Sequence, residues 1–347
     1  MSINSLLNPI VKTQEWSKLY ANTLNCDTIN TNYITTQAES IGQFIVSNGQ
    51  QSALLPSLGM GSHATFAPVL NRLVFSTATA VNASVYSNDG LTFTAVTAPA
   101  SLIIEWSPSL SLFSCINASN TQIYTSLNGT TVFTLSPSTV PFAWNSTALK
   151  WIPELNMFLA GNSNLISRVY YSLNGTTYFQ TNNALLQANG FAYSDTLGMV
   201  ISYGPSGTQY SYDGINWTPS AALIPFNGIC WSKAYNRFTA LATNSNTYAF
   251  ESYDGSNWTA YTAFTISLVN TSIEYFDALG VYVVGGTAFA VNRITVSVDG
   301  RNFKYIYVPP TQLVNYTCLI YVAQWGMLYG STSTNGAYSF TPKRYLF

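Results

Sequence analysis

One phrase returns along this chain at near-constant intervals, and that periodicity restricts the fold more than any other feature. Its fullest form is Ser211-Tyr-Asp213-Gly214-Ile-Asn-Trp217. It recurs at Ser87, Asp89 and Gly90, at Ser126, Asn128 and Gly129, and at Ser172, Asn174 and Gly175. Two further copies hold Ser252, Asp254, Gly255 and Trp258, and Ser297, Asp299, Gly300 and Phe303. The six copies stand 39 to 46 residues apart, and a degenerate seventh aligns Ser339, Thr341, Pro342 and Tyr345 with Ser, Asp, Gly and Trp. A second mark runs about 20 residues ahead of each copy: an aromatic residue followed by a turn and a hydrophobic run, at Phe66, Trp106, Trp151, Tyr193, Trp231, Tyr275 and Tyr321. Two independent marks in one register over most of the chain define a repeat protein of seven units.

Each unit holds four short hydrophobic runs separated by turn residues, so a unit of about 42 residues matches one blade of a β-propeller. Composition agrees: 15% aromatic residues with abundant Thr, Ser and Asn suit pleated strands and polar turns. The fold expected is all-β, a seven-bladed β-propeller of four-stranded blades over residues 56–347, with an N-terminal extension over residues 1–55. The repeated phrase is itself structural. Asx-Gly between two strands is a strong hairpin signal, because Gly accepts positive φ and the Asx side chain bonds the turn's backbone. The Ser hydroxyl acts likewise, and the aromatic residue three places after Gly buries a ring beside the turn.

On these residues the chain resembles the Asp-box, or BNR-like, β-propellers, whose pattern Ser-x-Asp-x-Gly-x-x-Trp is here one residue shorter. The resemblance covers residues 60–347. Sialidases, sortilin-like receptors, photosystem assembly factors and phage or viral particle proteins share such boxes, so the resemblance implies a fold and leaves function open.

Charge removes several classes. Only 7% of residues are charged and the net charge is −1, so neither a nucleic-acid backbone nor an anionic membrane meets a basic field. An assembly factor of the photosystem type would want a basic patch that this composition does not offer. Sialidase chemistry needs an arginine triad, and the six arginines are Arg72, Arg168, Arg237, Arg293, Arg301 and Arg344. Arg301 and Arg344 fall inside boxes, and Arg72 and Arg237 fall in turns on the box side, which leaves too few. A glycosidase needs two carboxylates at a set separation. With the box aspartates set aside, Glu105, Glu154, Asp195, Glu251, Glu274 and Asp277 remain, mostly beside the first-strand aromatics. The lone His63 builds neither a metal site nor a triad, so no metal, cofactor or catalytic residue is expected. The four cysteines, Cys26, Cys115, Cys230 and Cys318, lie far apart and read as buried free thiols. Nine N-x-[ST] sequons are about what this Asn, Ser and Thr content produces by chance.

The loops opposite the boxes are rich in amides and hydroxyls, with Arg168, Arg293, Tyr248 and Phe289 as the larger side chains, and these four are the candidate ligand contacts. Residues 1–55 resemble the Thr- and Asn-rich attachment segments of phage fibre and virion proteins. They serve either attachment or ring closure, and "QFIVSNGQQSAL" is a possible closing strand. The N-terminus lacks a charged segment followed by an apolar run, so synthesis without a signal peptide is expected. The expectation is therefore a non-enzymatic virion structural protein, associated with a capsid or tail. It would contact other virion proteins through its arm and present a polar face to a host-surface glycan or protein, with no nucleic-acid partner and no membrane insertion. The alternative is a secreted carbohydrate-binding protein or a sialidase-like glycoside hydrolase.

Overall fold

In the computed structural model the described residues are 44–51, 60–77, 84–96, 102–117, 122–130, 133–139, 146–162, 169–183, 186–221, 223–242, 248–262, 269–288, 291–307, 316–332 and 336–344. They form a β-propeller of four-stranded antiparallel sheets. Sheets I to VI each use four strands consecutive in sequence. Their first strands are Met60–Ala67, Leu102–Ser107, Ser146–Ile152, Gly190–Ser194, Phe226–Ser232 and Val269–Phe276. The last sheet, VII, is composite: Tyr316–Val322, Met327–Thr332 and Gly336–Arg344 are joined at the outer edge by Phe44–Gln51. First strands touch their neighbours in chain order, and the first strand of VII returns to that of I, closing the cycle.

The core lies between sheets, because each four-stranded sheet is apolar on both faces. One cluster packs Ile103, Ile116 and Ile123 of sheet II against Leu149, Trp151 and Phe158 of sheet III. Equivalent clusters fill every other interface, including Leu73, Phe75 and Val85 of sheet I against Val322 and Tyr329 of sheet VII. The first-strand aromatics seal these interfaces; Trp106, Trp151 and Trp231 stack on Phe113, Phe158 and Phe238 at centroid separations of 4.7 to 4.8 Å. Edge and tilted ring contacts at this distance add to the burial itself.

Residues 44–51, from the expected N-terminal extension, pair antiparallel with the C-terminal strand: Phe44 lies opposite Arg344, and Ser47 opposite Thr341. This makes that stretch a ring-closing strand and moves the start of the propeller to Phe44. It also explains the degenerate seventh phrase, where the expected alignment needs correction. In sheets I to VI the box Ser pairs with the second residue of the second strand, as Ser211 does with Val200. In sheet VII the equivalent pair is Leu328 with Phe340, so Ser339 stands one place early. Thr341 and Pro342 are not in a turn; the strand runs on to Arg344. No hairpin turn is required there, because the fourth strand comes from the other end of the chain. Pro342 lies beyond the pairing with Met327–Thr332, where its missing N–H leaves no ladder bond to that strand unmade. Tyr345 lies outside the described residues, as does Cys26.

Candidate functional site

The six intact phrases are turns held by their own side chains. In sheet IV the Ser211 hydroxyl donates to Asp213 Oδ1 at 3.0 Å and accepts from the Gly214 N–H at 2.9 Å. Asp213 Oδ1 also accepts from the Ile215 and Asn216 N–H groups at 2.8 and 2.7 Å, and Oδ2 accepts from the Asn216 amide at 2.7 Å. Gly214 sits at φ +74°, and a Cβ there would stand 2.6 Å from the Met157 sulfur of sheet III. Glycine is needed twice over, for the left-handed backbone and for the neighbouring sheet's approach. The same Ser-to-Asx bond closes the turns at Ser87, Ser126, Ser172, Ser252 and Ser297. The backbone donors also hold Asp89 at about 2, mainly through Thr92 and Leu91. Asp213 and Asp254 likewise lie at about 2, because those donors outweigh partial burial.

These turns also lock sheet to sheet. Arg72 Nη1 of sheet I donates to the Asn128 carbonyl of sheet II at 2.6 Å. Ser114 of sheet II donates to the Gly175 carbonyl at 2.7 Å, and Tyr329 of sheet VII donates to the Gly90 carbonyl of sheet I at 3.1 Å. Arg237 of sheet V bonds the Asp299 carbonyl of sheet VI and pairs with the buried Glu251, which Arg301 grips at 2.6 Å. Arg72, Arg237 and Arg301 therefore tie neighbouring sheets together on the box side; Arg72 and Arg237, expected in the turns after the first strands, instead open the second strands Arg72–Thr77 and Arg237–Ala242.

At the ring axis lies a cavity of about 700 Å³. Of the residues just before the first-strand aromatics, Thr65, Glu105, Lys150, Glu274 and Ile320 line this cavity, while Ala192 and Cys230 line an adjoining chamber. Thr65 Oγ1 accepts from the Trp106 N–H at 3.1 Å, and Glu105 Oε1 accepts from the Trp151 N–H at 3.3 Å. Each side chain thereby satisfies an inner-edge donor of the next sheet. Glu105, Lys150 and Glu274 all line the cavity, with Tyr203, Asn189, Asn227 and His63 among its other walls. They are reached by solvent yet ringed by protein on every side. Enclosure pushes the Glu105 carboxyl up to about 7 against the pull of Lys150 and the Trp151 N–H, and pushes Glu274 up as well. Enclosure disfavours the Lys150 charge, but Glu105 and Glu274 together outweigh it and raise the ammonium's pKa. Gly190 makes room here, since a Cβ would fall 2.1 Å from the Tyr203 hydroxyl.

A second chamber of about 280 Å³ shares Lys150, Phe191 and Glu274 with the first and reaches the first-strand turns. Its walls carry Glu154, Asp195, Asp277 and Lys233. Lys233 Nζ meets Asp195 Oδ2 at 2.6 Å, and Trp231 Nε1 donates to Asp195 Oδ1 at 3.1 Å. Lys233, the nearer and stronger influence, holds the Asp195 carboxyl low.

The expected acids Glu105, Glu154, Asp195, Glu274 and Asp277 thus come together along the axis, whereas Glu251 belongs to the clamp between sheets V and VI. Lys150 was not anticipated; the signal for it was its place one residue before Trp151, in register with Glu105 and Glu274. Cys115 and Cys230 are buried free thiols, and Cys318, also free, lines the cavity, where burial pushes its thiol up to about 12. Arg168 and Phe289 lie outside the described residues. Tyr248 opens the third strand of sheet V opposite Thr262, and Arg293 pairs with Gly286 and Tyr307 in sheet VI; of their side chains nothing is described. Both stand at the end of the third strand away from the box turn.

No family model matches this chain, and no curated protein matches it. Among solved structures, it is similar to a streptogramin B lyase at a TM-score of 0.66 and 10% identity, over 86% of this chain and 98% of that one. It is also similar to a catalytically inactive variant of virginiamycin B lyase from Staphylococcus aureus with quinupristin, at 0.67 and 9%, covering 86% and 99%. YCF48 bound to a D1 peptide matches at 0.62 and 10%, covering 83% and 93%. At such identities the likeness establishes the β-propeller fold.

Proposed function

We propose that this chain is a non-enzymatic component of a virus particle: an Asp-box propeller, seven-bladed when the composite sheet is counted, that is anchored by its N-terminal arm and binds a host glycan or protein on its loop face. One observation carries the reading. Phe44 pairs with Arg344, past the level at which the other sheets make their box turns, so the strand Phe44–Gln51 begins at the outer rim on the box side. Tethering from there leaves the opposite face, with Tyr248 and Arg293 at its edge, turned outward.

The axis supports a non-catalytic reading, since the Lys150 ammonium shares the cavity with Glu105 and Glu274 and acts on both as a compensating charge. Propellers of this shape do hold ligands, quinupristin in one neighbour and a D1 peptide in another. A second reading, glycoside hydrolysis, draws on Glu105 and Glu274 sharing one cavity, both raised by enclosure, Glu105 to about 7 as an acid would be. A glycan array probed with the full chain and its Arg168→Ala and Arg293→Ala variants, followed by a hydrolysis assay on every hit, separates the two. Saturable binding without turnover, weakened in either variant, is the expected result. Turnover that is abolished by Glu105→Gln contradicts the proposal in favour of the hydrolase.

A further inference from the structure

The repeat departs from its own pattern at one outer corner, between sheets III and IV. The fourth-strand residue paired with the position before the box serine is an exposed threonine in sheets I, II, IV and V, namely Thr94, Thr134, Thr218 and Thr259, and it is Lys304 in sheet VI. In sheet III it is Phe179, opposite Tyr171 and 52% exposed. Threonine serves the fold at four equivalent places, so the sheet itself does not require this ring. The Phe179 and Tyr171 centroids stand 5.7 Å apart, and Tyr171 packs on the core shared with sheet IV, so both rings lie on the side of sheet III turned towards sheet IV. Three residues on, Asn182 forms a parallel bridge with Asn216 of sheet IV, the only isolated bridge among the described residues. Its N–H donates to the Ile215 carbonyl at 2.8 Å and its side-chain amide to Asn216 Oδ1 at 3.0 Å. Asn183 follows at φ +56°, whereas the other described non-glycine residues at positive φ, Asn71, Ser111, Asn156 and Asn236, each stand immediately before a second strand. Local departures that the fold does not require point to function. A half-exposed ring beside exposed amides matches a ligand with an apolar face and a rim of hydroxyls, since the C–H face of a pyranose lies on an aromatic ring while its hydroxyls exchange hydrogen bonds with amides. Tyr171, Phe179, Asn182, Asn183 and Asn216 carry no charge, and Asp213, to which the Asn216 amide donates, is bonded within its own turn.

We propose that this corner binds a neutral pyranose sugar, with its C–H face on Phe179 and its hydroxyls at the Asn182 and Asn216 amides. The inference rests on the glycan reading above for the kind of ligand alone, and it adds a contact site away from the loop face. Saturation-transfer NMR on the full chain with lactose, maltose and cellobiose tests it. At least one disaccharide should bind saturably. Phe179→Thr, which installs the residue that four other sheets already carry, should weaken that binding about tenfold, the scale of one lost ring contact. Phe179→Tyr should retain it, Arg293→Ala should leave it unchanged, and so should added salt, since no ion pair takes part. Absence of saturable binding by all three sugars overturns the proposal, as does equal affinity in Phe179→Thr and the wild type. Binding lost in Arg293→Ala but kept in Phe179→Thr leaves the loop-face reading standing and overturns this one. A proline hexapeptide that binds in place of the sugars, and only when Phe179 is present, would assign the corner to a protein partner and likewise overturn it.

Discussion

At the residue scale, the Ser-x-Asx-Gly turn works because one oxygen serves several backbone donors at once. Asn128 and Asn174 do in sheets II and III what Asp213 does in sheet IV, accepting through Oδ1 at 2.9 Å. Asp213→Asn should therefore cost under ~1 kcal/mol, while Asp213→Ala, which strands the Ile215 and Asn216 donors, should cost about 1–2 kcal/mol, measured by denaturant unfolding. The ionised aspartates add a pH dependence. Their carboxyls lie at about 2 in the folded chain, below the ordinary 3.8. Their contribution is present in full above 3.8 and disappears as pH falls through about 2. Glu105 and Glu274, raised in the folded chain, work the other way, because they bind protons more readily folded than unfolded. Thermal midpoints should therefore rise as pH falls from about 7 to about 4.5, and fall once pH drops below about 3.8 and the box aspartates lose their contribution.

At the element scale, the composite sheet shows why a regular repeat can end irregularly. The seventh unit dispenses with its turn because Phe44–Gln51 supplies the outer strand, and the sequence there loses its Asp and Gly without loss of the sheet. Removing residues 1–43 should leave the thermal midpoint unchanged. Removing residues 1–51 exposes the edge of Gly336–Arg344 and should lower the midpoint by about 4 °C or more, the shift expected for the loss of one to several kcal/mol. Much of this was legible in sequence: the paired marks set the register of the four-stranded sheets, and the 43–54 stretch was among the readings for a closing strand. The one-residue slip at Ser339 was not, since with the turn gone nothing in the local pattern pins register.

At the scale of the whole molecule, interfaces between sheets are the core, and closure decides whether the last interface forms. Phe75, Phe93 and Tyr329 pack in that interface between sheets VII and I, at centroid separations of 6.1 to 6.4 Å. The box residues were readable because their chemistry is local. The axial site was only half readable, because Glu105, Lys150 and Glu274 lie far apart in the chain and meet solely through ring geometry. Reading the residue before each first-strand aromatic across all seven units recovers them together.

The central claim is that Phe44–Gln51 closes the ring, since the anchored side and the outward face both follow from it. Hydrogen exchange by mass spectrometry on the full chain tests it directly, through peptides spanning 44–51 and 336–344. Slow exchange of both, with both released together as denaturant rises, is what this architecture requires. Unprotected exchange at 44–51 beside a protected 336–344 would contradict it.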